Sequence, residues 1–279
     1  MRLPLVVHRT SARRARPRRW PLPPADRRTV WGGVAGRTSV FRGLFIGIDR
    51  YVAPITRLSC ARSDAVALGC LFEDAGGAEV TFLLDAEATA EGIRTALERL
   101  KVGAGVDDLV VVTFSGHGTE DHQLVPVDAG PDLDNCVGLD ELAKHLDEIL
   151  AAQLIVVLDC CFSGGFGGAR VFAPTSARSP VEDRGTLVEL SRGDGRVVLA
   201  ASGAGEPALE TMRFGHGLFS YHLLEALQGF GHFTTAARLP FYELLGHVTT
   251  AVVDSARLLS CVQTPACTAR STARRRCRG

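Results

Sequence analysis

Five short runs of nearly unbroken apolar residues constrain this chain most: Gly43–Asp49 (GLFIGID), Glu79–Leu84 (EVTFLL), Leu109–Phe114 (LVVVTF), Leu154–Asp159 (LIVVLD) and Arg196–Ser202 (RVVLAAS). A strand with one wet face alternates polar and apolar residues; a run without alternation is buried on both faces. The segments between them carry a helical period instead. Leu58, Ala61, Ala65, Leu68 and Phe72 recur at helical spacing. Ile93, Leu97 and Leu100 share one face of Thr89–Lys101, with Thr89, Glu87 and Glu91 forming a helix start. Leu142, Leu146, Ile149 and Leu150 line Leu139–Ala151, and two further helices are predicted over Leu218–Leu227 and about Leu239–Leu259. Strands alternating with helices predict an α/β fold of three layers, a mostly parallel central sheet with helices on both faces. No internal repeat is present.

Charge divides the chain into a body and two ends. Residues 1–42 hold eleven Arg against one acid, Asp26, and residues 266–279 hold five Arg and no acid. The intervening residues 43–265 carry 15 bases and 30 acids. We therefore expect a disordered Arg/Pro-rich tail over 1–42, one domain over 43–265 and a basic tail over 266–279. An acidic body disfavours nucleic acid and favours cationic partners, either basic peptides or a divalent cation. No apolar run approaches the roughly 18 residues of a membrane span. Leu3–Val7 is too short for the core of a signal peptide. The eight Cys include no CxxC pair and suit neither a zinc knuckle nor a disulfide framework, so a cytoplasmic protein with reduced thiols is expected; a monomer is expected as well.

In open α/β sheets the reacting groups collect beyond the carboxyl ends of the strands. Asp49 and Tyr51 follow the first run, Ser115-Gly116-His117-Gly118 the third, Asp159-Cys160-Cys161-Phe162-Ser163-Gly164-Gly165 the fourth, and Ser202-Gly203-Ala204-Gly205-Glu206 the fifth. A thiol and an imidazole thus stand on two successive strand ends, each flanked by glycine. The imidazole can take the thiol's proton during attack and return it to a leaving amine. Backbone N–H groups of Gly118 and Cys161 are positioned in sequence to hold an oxyanion. The expectation is geometric: Cys161 and His117 share one cleft.

SGHG after LVVVTF, followed by LDCCFSGG after a helix and a strand, resembles the caspase-like cysteine peptidases, family C14, and within them the bacterial metacaspase-like branch. The resemblance spans about 43–265 and includes GLFIGIDRY, Leu58–Ala65, LVPVD (Leu124–Asp128), ASGAGEPALE and QTP (Gln263–Pro265). It implies the caspase-like fold, Cys161 rather than Cys160 as nucleophile, and His117 as its base. It also implies cleavage after Arg or Lys, with Asp64, Ser115 and Asp159 lining the pocket for that side chain. Two carboxylates in a partly desolvated pocket hold a guanidinium or ammonium and reject an acid.

No cofactor is implied as a requirement. Some metacaspases bind calcium through acids after the His loop; this chain offers Asp128, Asp132, Asp134, Asp140 and Glu141, with Asp128 and Asp140 the candidate ligands. His117 and His122 lack the HExxH zinc spacing, and Ser163 lacks the first glycine of GxSxG. The segment Gly167–Arg196, with Arg170, Arg178, Arg184, Arg192 and Arg196 among Gly, Ser and Pro, reads as an exposed loop, or as a linker that an enzyme preferring basic residues could cut in itself. A catalytically idle caspase-like scaffold is the competing reading, and the presence of both His117 and Cys161 argues against it. A nucleotide-binding domain would need GxGxxG after the first strand, where GIDRYVAP stands.

Overall fold

A computed structural model describes residues 40–76, 79–160, 195–203, 206–229 and 241–270. Its centre is a six-stranded sheet of β1 (Phe41–Gly47), β2 (Glu79–Leu84), β3 (Leu109–Ser115), β6 (Gln153–Asp159), β7 (Arg196–Ala200) and β10 (Ala266–Arg270), in the order β10-β7-β6-β3-β1-β2. Every pairing is parallel except the antiparallel β10–β7 edge. Two-residue strands form two small hairpins, β4 (Gln123–Leu124) with β5 (Val137–Gly138) and β8 (Glu210–Thr211) with β9 (His216–Gly217).

The helices are α1 (Ala61–Gly76), α2 (Ala90–Gly103), α3 (Leu139–Asp147), α4 (Leu218–Leu227) and α5 (Phe241–Leu258). The absence of alternation in the strands now has its cause. Leu44, Ile46, Val110, Val112, Phe114, Val156 and Leu158 pack with Ile93 and Leu97 of α2 and Leu142 and Leu146 of α3. Their neighbours in sequence, Phe45, Val111 and Val157, point the other way with Leu199 of β7, onto Leu68 of α1, Phe219 of α4 and Val248 and Val252 of α5. Both faces of the sheet are covered, so most residues of β1, β3, β6 and β7 are buried whichever way their Cβ points, whereas the edge strand β2 keeps Glu79 and Thr81 exposed. Among the described residues, no helix is long and apolar enough to cross a membrane.

Polar side chains stop the elements where they stop. Thr89 accepts from Gly92 N as the cap of α2, as its sequence predicts. Helix α3 ends at Asp147, short of the expected Ala151. There the buried Arg196 guanidinium donates to the carbonyl of Leu146 in the last turn of the helix and to that of Ile149 just beyond it. Leu58 lies ahead of α1 and packs with the opposite core, so it does not share the helical face expected for it.

The C-terminal boundary needs correction. Ala266–Arg270, assigned from charge to a tail, forms the edge strand that covers β7, with Cys267 opposite Leu199 and Ala269 opposite Val197. Its alternating small residues satisfy a ladder without the apolar run that marks a central strand.

Candidate active site

The tips of β1, β3 and β6 are aligned residue for residue: Gly47 lies beside Ser115, and Ser115 beside Asp159. Ile48 N donates to Ser115 O at 3.1 Å and Gly116 N to Asp159 O at 3.2 Å, carrying the ladder past the strand ends. The loop bearing His117 therefore leaves a rigid platform.

His117 is buried, with 6% exposure. Its Nε2 lies 2.7 Å from the carbonyl of Thr56. A carbonyl only accepts, so Nε2 carries the proton and Nδ1 is the basic nitrogen. The backbone is fixed as well. His117 N donates to Tyr51 Oη at 3.0 Å, and that hydroxyl donates onward to Val125 O at 3.0 Å. The two rings lie 4.8 Å apart. Gly116 makes this approach possible, since a Cβ there would stand 2.7 Å from Tyr51 Oη. Burial pushes the His117 pKa down to about 4, against the raising effect of Thr56, so the imidazole is neutral at pH 7.

A second cluster occupies the α1/α4 side of the same platform. Asp64, in the first turn of α1 and 1% exposed, takes four hydrogen bonds. His216 Nδ1 reaches Oδ1 at 2.7 Å, Ser115 Oγ donates to Oδ2 at 3.2 Å, and Gly217 N lies 3.2 and 3.1 Å from the two oxygens. Asp159 Oδ2 accepts from Ser220 Oγ at 2.6 Å and from Ser220 N at 3.3 Å. The two carboxylates converge on Gly217, where a Cβ would meet Asp159 Oδ2 at 2.8 Å and Asp64 Oδ2 at 3.0 Å. Burial, then the charge of Asp64, raises Asp159 to about 7 despite Ser220. Burial also raises Asp64, opposed first by the His216 hydrogen bond. Two acids brought together out of water are costly, and a structural role alone does not call for them.

A family model described as the caspase domain of the C14 peptidases matches residues 42–275. The chain belongs to this family. It is a cysteine-type peptidase, a hydrolase acting on protein or peptide substrates. A search of curated proteins found no match.

The caspase domain's other expected residues fare differently. Asp64, Ser115 and Asp159 come together with His216, Gly217 and Ser220. Gly118 lies beside Leu124, and the turn is pinned on either side of it, by Thr119 N to Gln123 O and Val125 N to His117 O. Neither bond uses the Gly118 N–H. Cys161 and the expected cleavage segment up to residue 194 lie outside the described residues. Strand β6, which leads to Cys161, runs beside β3, which leads to His117.

Asp128 and Asp140 are engaged elsewhere. Asp128 Oδ1 takes Ala90 N at 2.8 Å in the first turn of α2, and the exposed Asp140 faces Lys144 one helical turn away at 3.8 Å. Among the described residues no three His, Cys, Asp or Glu side chains gather as a metal site. Asp128 and Asp140 are thus not brought together as calcium ligands among the described residues. Among the described residues, Cys60, Cys70, Cys136, Cys261 and Cys267 are free thiols.

Sequence reasoning missed Thr56, which acts through its backbone carbonyl and so leaves no side-chain signature. It also missed His216 and Ser220, where a His-Gly pair opening a helix was the available signal, and Glu210, which accepts from Ser59 N and Cys60 N ahead of α1.

Proposed function

We propose that this caspase-domain peptidase hydrolyses the bond after an Arg or Lys residue, using Cys161 as nucleophile and His117 as base. The observation that carries the reading is the pair of buried carboxylates, Asp64 and Asp159, held with Ser115 at the strand tips two residues from His117 on one side and from Cys161 on the other. An arginine or lysine side chain entering that space brings a positive charge to two carboxylates, of which Asp159 keeps Oδ1 without a donor among the described residues. An aspartate would add a third negative charge out of water.

In this mechanism His117 rests as a neutral imidazole able to take a proton. As the sulfur attacks the scissile carbonyl carbon, Nδ1 accepts the thiol proton. The resulting imidazolium is stabilised by Nε2–H donating to Thr56 O. N–H groups of Gly118 and Cys161 receive the oxyanion. Collapse expels the amine, which takes the proton from Nδ1, and water then hydrolyses the thioester with His117 again as base. The same preference makes the arginines of 167–196 candidate sites for self-cleavage in a monomeric, cytoplasmic enzyme.

Fluorogenic peptides ending in Arg, Lys or Asp, with and without calcium, test the reading against a Cys161→Ala control. Hydrolysis after Arg or Lys that disappears in the control is expected. Preference for Asp overturns the pocket, and activity surviving Cys161→Ala overturns the nucleophile. New amino termini within 167–196, absent from the control, would establish self-processing.

A further inference from the structure

We propose that His216 is a positioning residue that sets the preference for a basic side chain by acting through Asp64. The inference rests on the basic-residue reading above and extends it to a residue which that reading does not use.

The β8–β9 hairpin meets the start of α1 at two points. Glu210 takes Ser59 N and Cys60 N, while His216 and Gly217, opposite Thr211 and Glu210 in the hairpin, bind Asp64. Asp64 is consequently saturated: both of its oxygens accept, and it cannot rotate without breaking several bonds. Asp159 is different. Ser220 supplies both donors to Oδ2, and among the described residues nothing donates to Oδ1. The labour divides accordingly. Asp159 retains an acceptor for a substrate cation, and Asp64 contributes its charge from across the space left by the missing Cβ of Gly217.

Asp64 supplies that charge only if it is ionised, and burial works against ionisation. The strongest opposing influence is the hydrogen bond from His216. Its donor is an N–H close to the ring's attachment point, a position the side-chain amide of asparagine also reaches. A hydrocarbon of similar bulk fills the space but offers no donor. The prediction therefore separates the bond from the packing.

The experiment measures kcat and KM on an Arg-ended fluorogenic peptide for the full-length protein, His216→Leu and His216→Asn, together with the rate of Cys161 alkylation by iodoacetamide. Losing one hydrogen bond to a charged group predicts a KM raised roughly ten- to a hundredfold in His216→Leu. Alkylation and kcat should stay within about twofold, because the interaction acts on binding. His216→Asn should recover most of the lost KM. An unchanged KM in His216→Leu overturns the proposal. So does a joint fall in kcat, KM performance and alkylation that asparagine fails to relieve, which is the mark of a purely structural residue. If the leucine variant does not fold, His216→Ala against His216→Asn makes the same comparison. Failure of the underlying reading is seen separately, as an unsubstituted protein that does not prefer Arg or Lys.

Discussion

At the scale of single residues, two titrations with opposite origins set the pH behaviour. Asp159 binds its proton up to about 7 because burial and Asp64 disfavour its anion. His117 resists protonation down to about 4 because burial disfavours its cation. In free enzyme the acidic pocket gains the Asp159 charge only above about 7, so kcat/KM for Arg substrates should rise with pH through a limb near that value. In the complex the bound cation keeps Asp159 ionised, and kcat should persist well below that limb. Stopped assays from pH 4 to 9 check both, and a kcat/KM flat from pH 5 to 8 would refute the Asp159 assignment. Stability follows with a definite sign. The folded state holds the Asp159 proton between about 4 and 7 while the unfolded chain has lost it, so this group destabilises the fold as pH rises through that window. Asp159→Asn should therefore gain on the order of 2 kcal/mol at pH 8 while losing activity on Arg peptides, as thermal melts of the two proteins would reveal. His117 acts in reverse, costing stability as pH falls from the ordinary histidine range toward 4. Tyr51→Phe strands His117 N and Val125 O in the interior. A loss of about 1–3 kcal/mol is expected, with kcat reduced more than KM because His117, the proposed base, is displaced. A kcat matching the parent would show that Tyr51 does not hold the base.

At the scale of elements, the sheet's active edge depends on connectors as much as on strands. Gln263 is buried, donating from Nε2 to Ala201 O at 2.9 Å and accepting from Leu209 N at 3.0 Å. It fastens the segment before β10 to the exit of β7 and to the approach of the β8–β9 hairpin. The neighbouring Thr264 bonds Glu206, so two sequence segments far apart, QTP and the one around Glu206, meet as one structural joint. Gln263→Leu leaves a buried carbonyl and amide without partners. It should cost roughly 2–3 kcal/mol in chemical denaturation and raise KM through the loosened hairpin, with Cys161 alkylation little changed. A midpoint equal to the parent's would show that the joint is dispensable.

At the scale of the molecule, the sheet is closed by a strand that composition had consigned to a tail. Removing residues 266–279 would strip the ladder from β7 and uncover Leu199 and Val197 at an open edge, a surface prone to pairing with other chains. The truncated protein should melt lower and elute in part as aggregates on size-exclusion chromatography; a monomer as stable as the parent would return this segment to the status of an appendage.

The sequence alone determined five of the sheet's six strands and the helices between them. Burial on both faces writes itself as an unbroken apolar run, and a parallel sheet delivers successive strand ends to one edge. Asp64, Ser115 and Asp159 were legible only through the family motif, since nothing in their spacing reveals that they meet. Tertiary structure decided what local pattern cannot encode. The carbonyl of Thr56 fixes a tautomer without any side chain, and Arg196 ends a helix about 50 residues before it. His216 reaches Asp64 across 152 positions of chain. Hydrogen bonds of that kind depend on which backbones the fold brings within 3 Å of one another, a property of the packed layers and not of any window of residues.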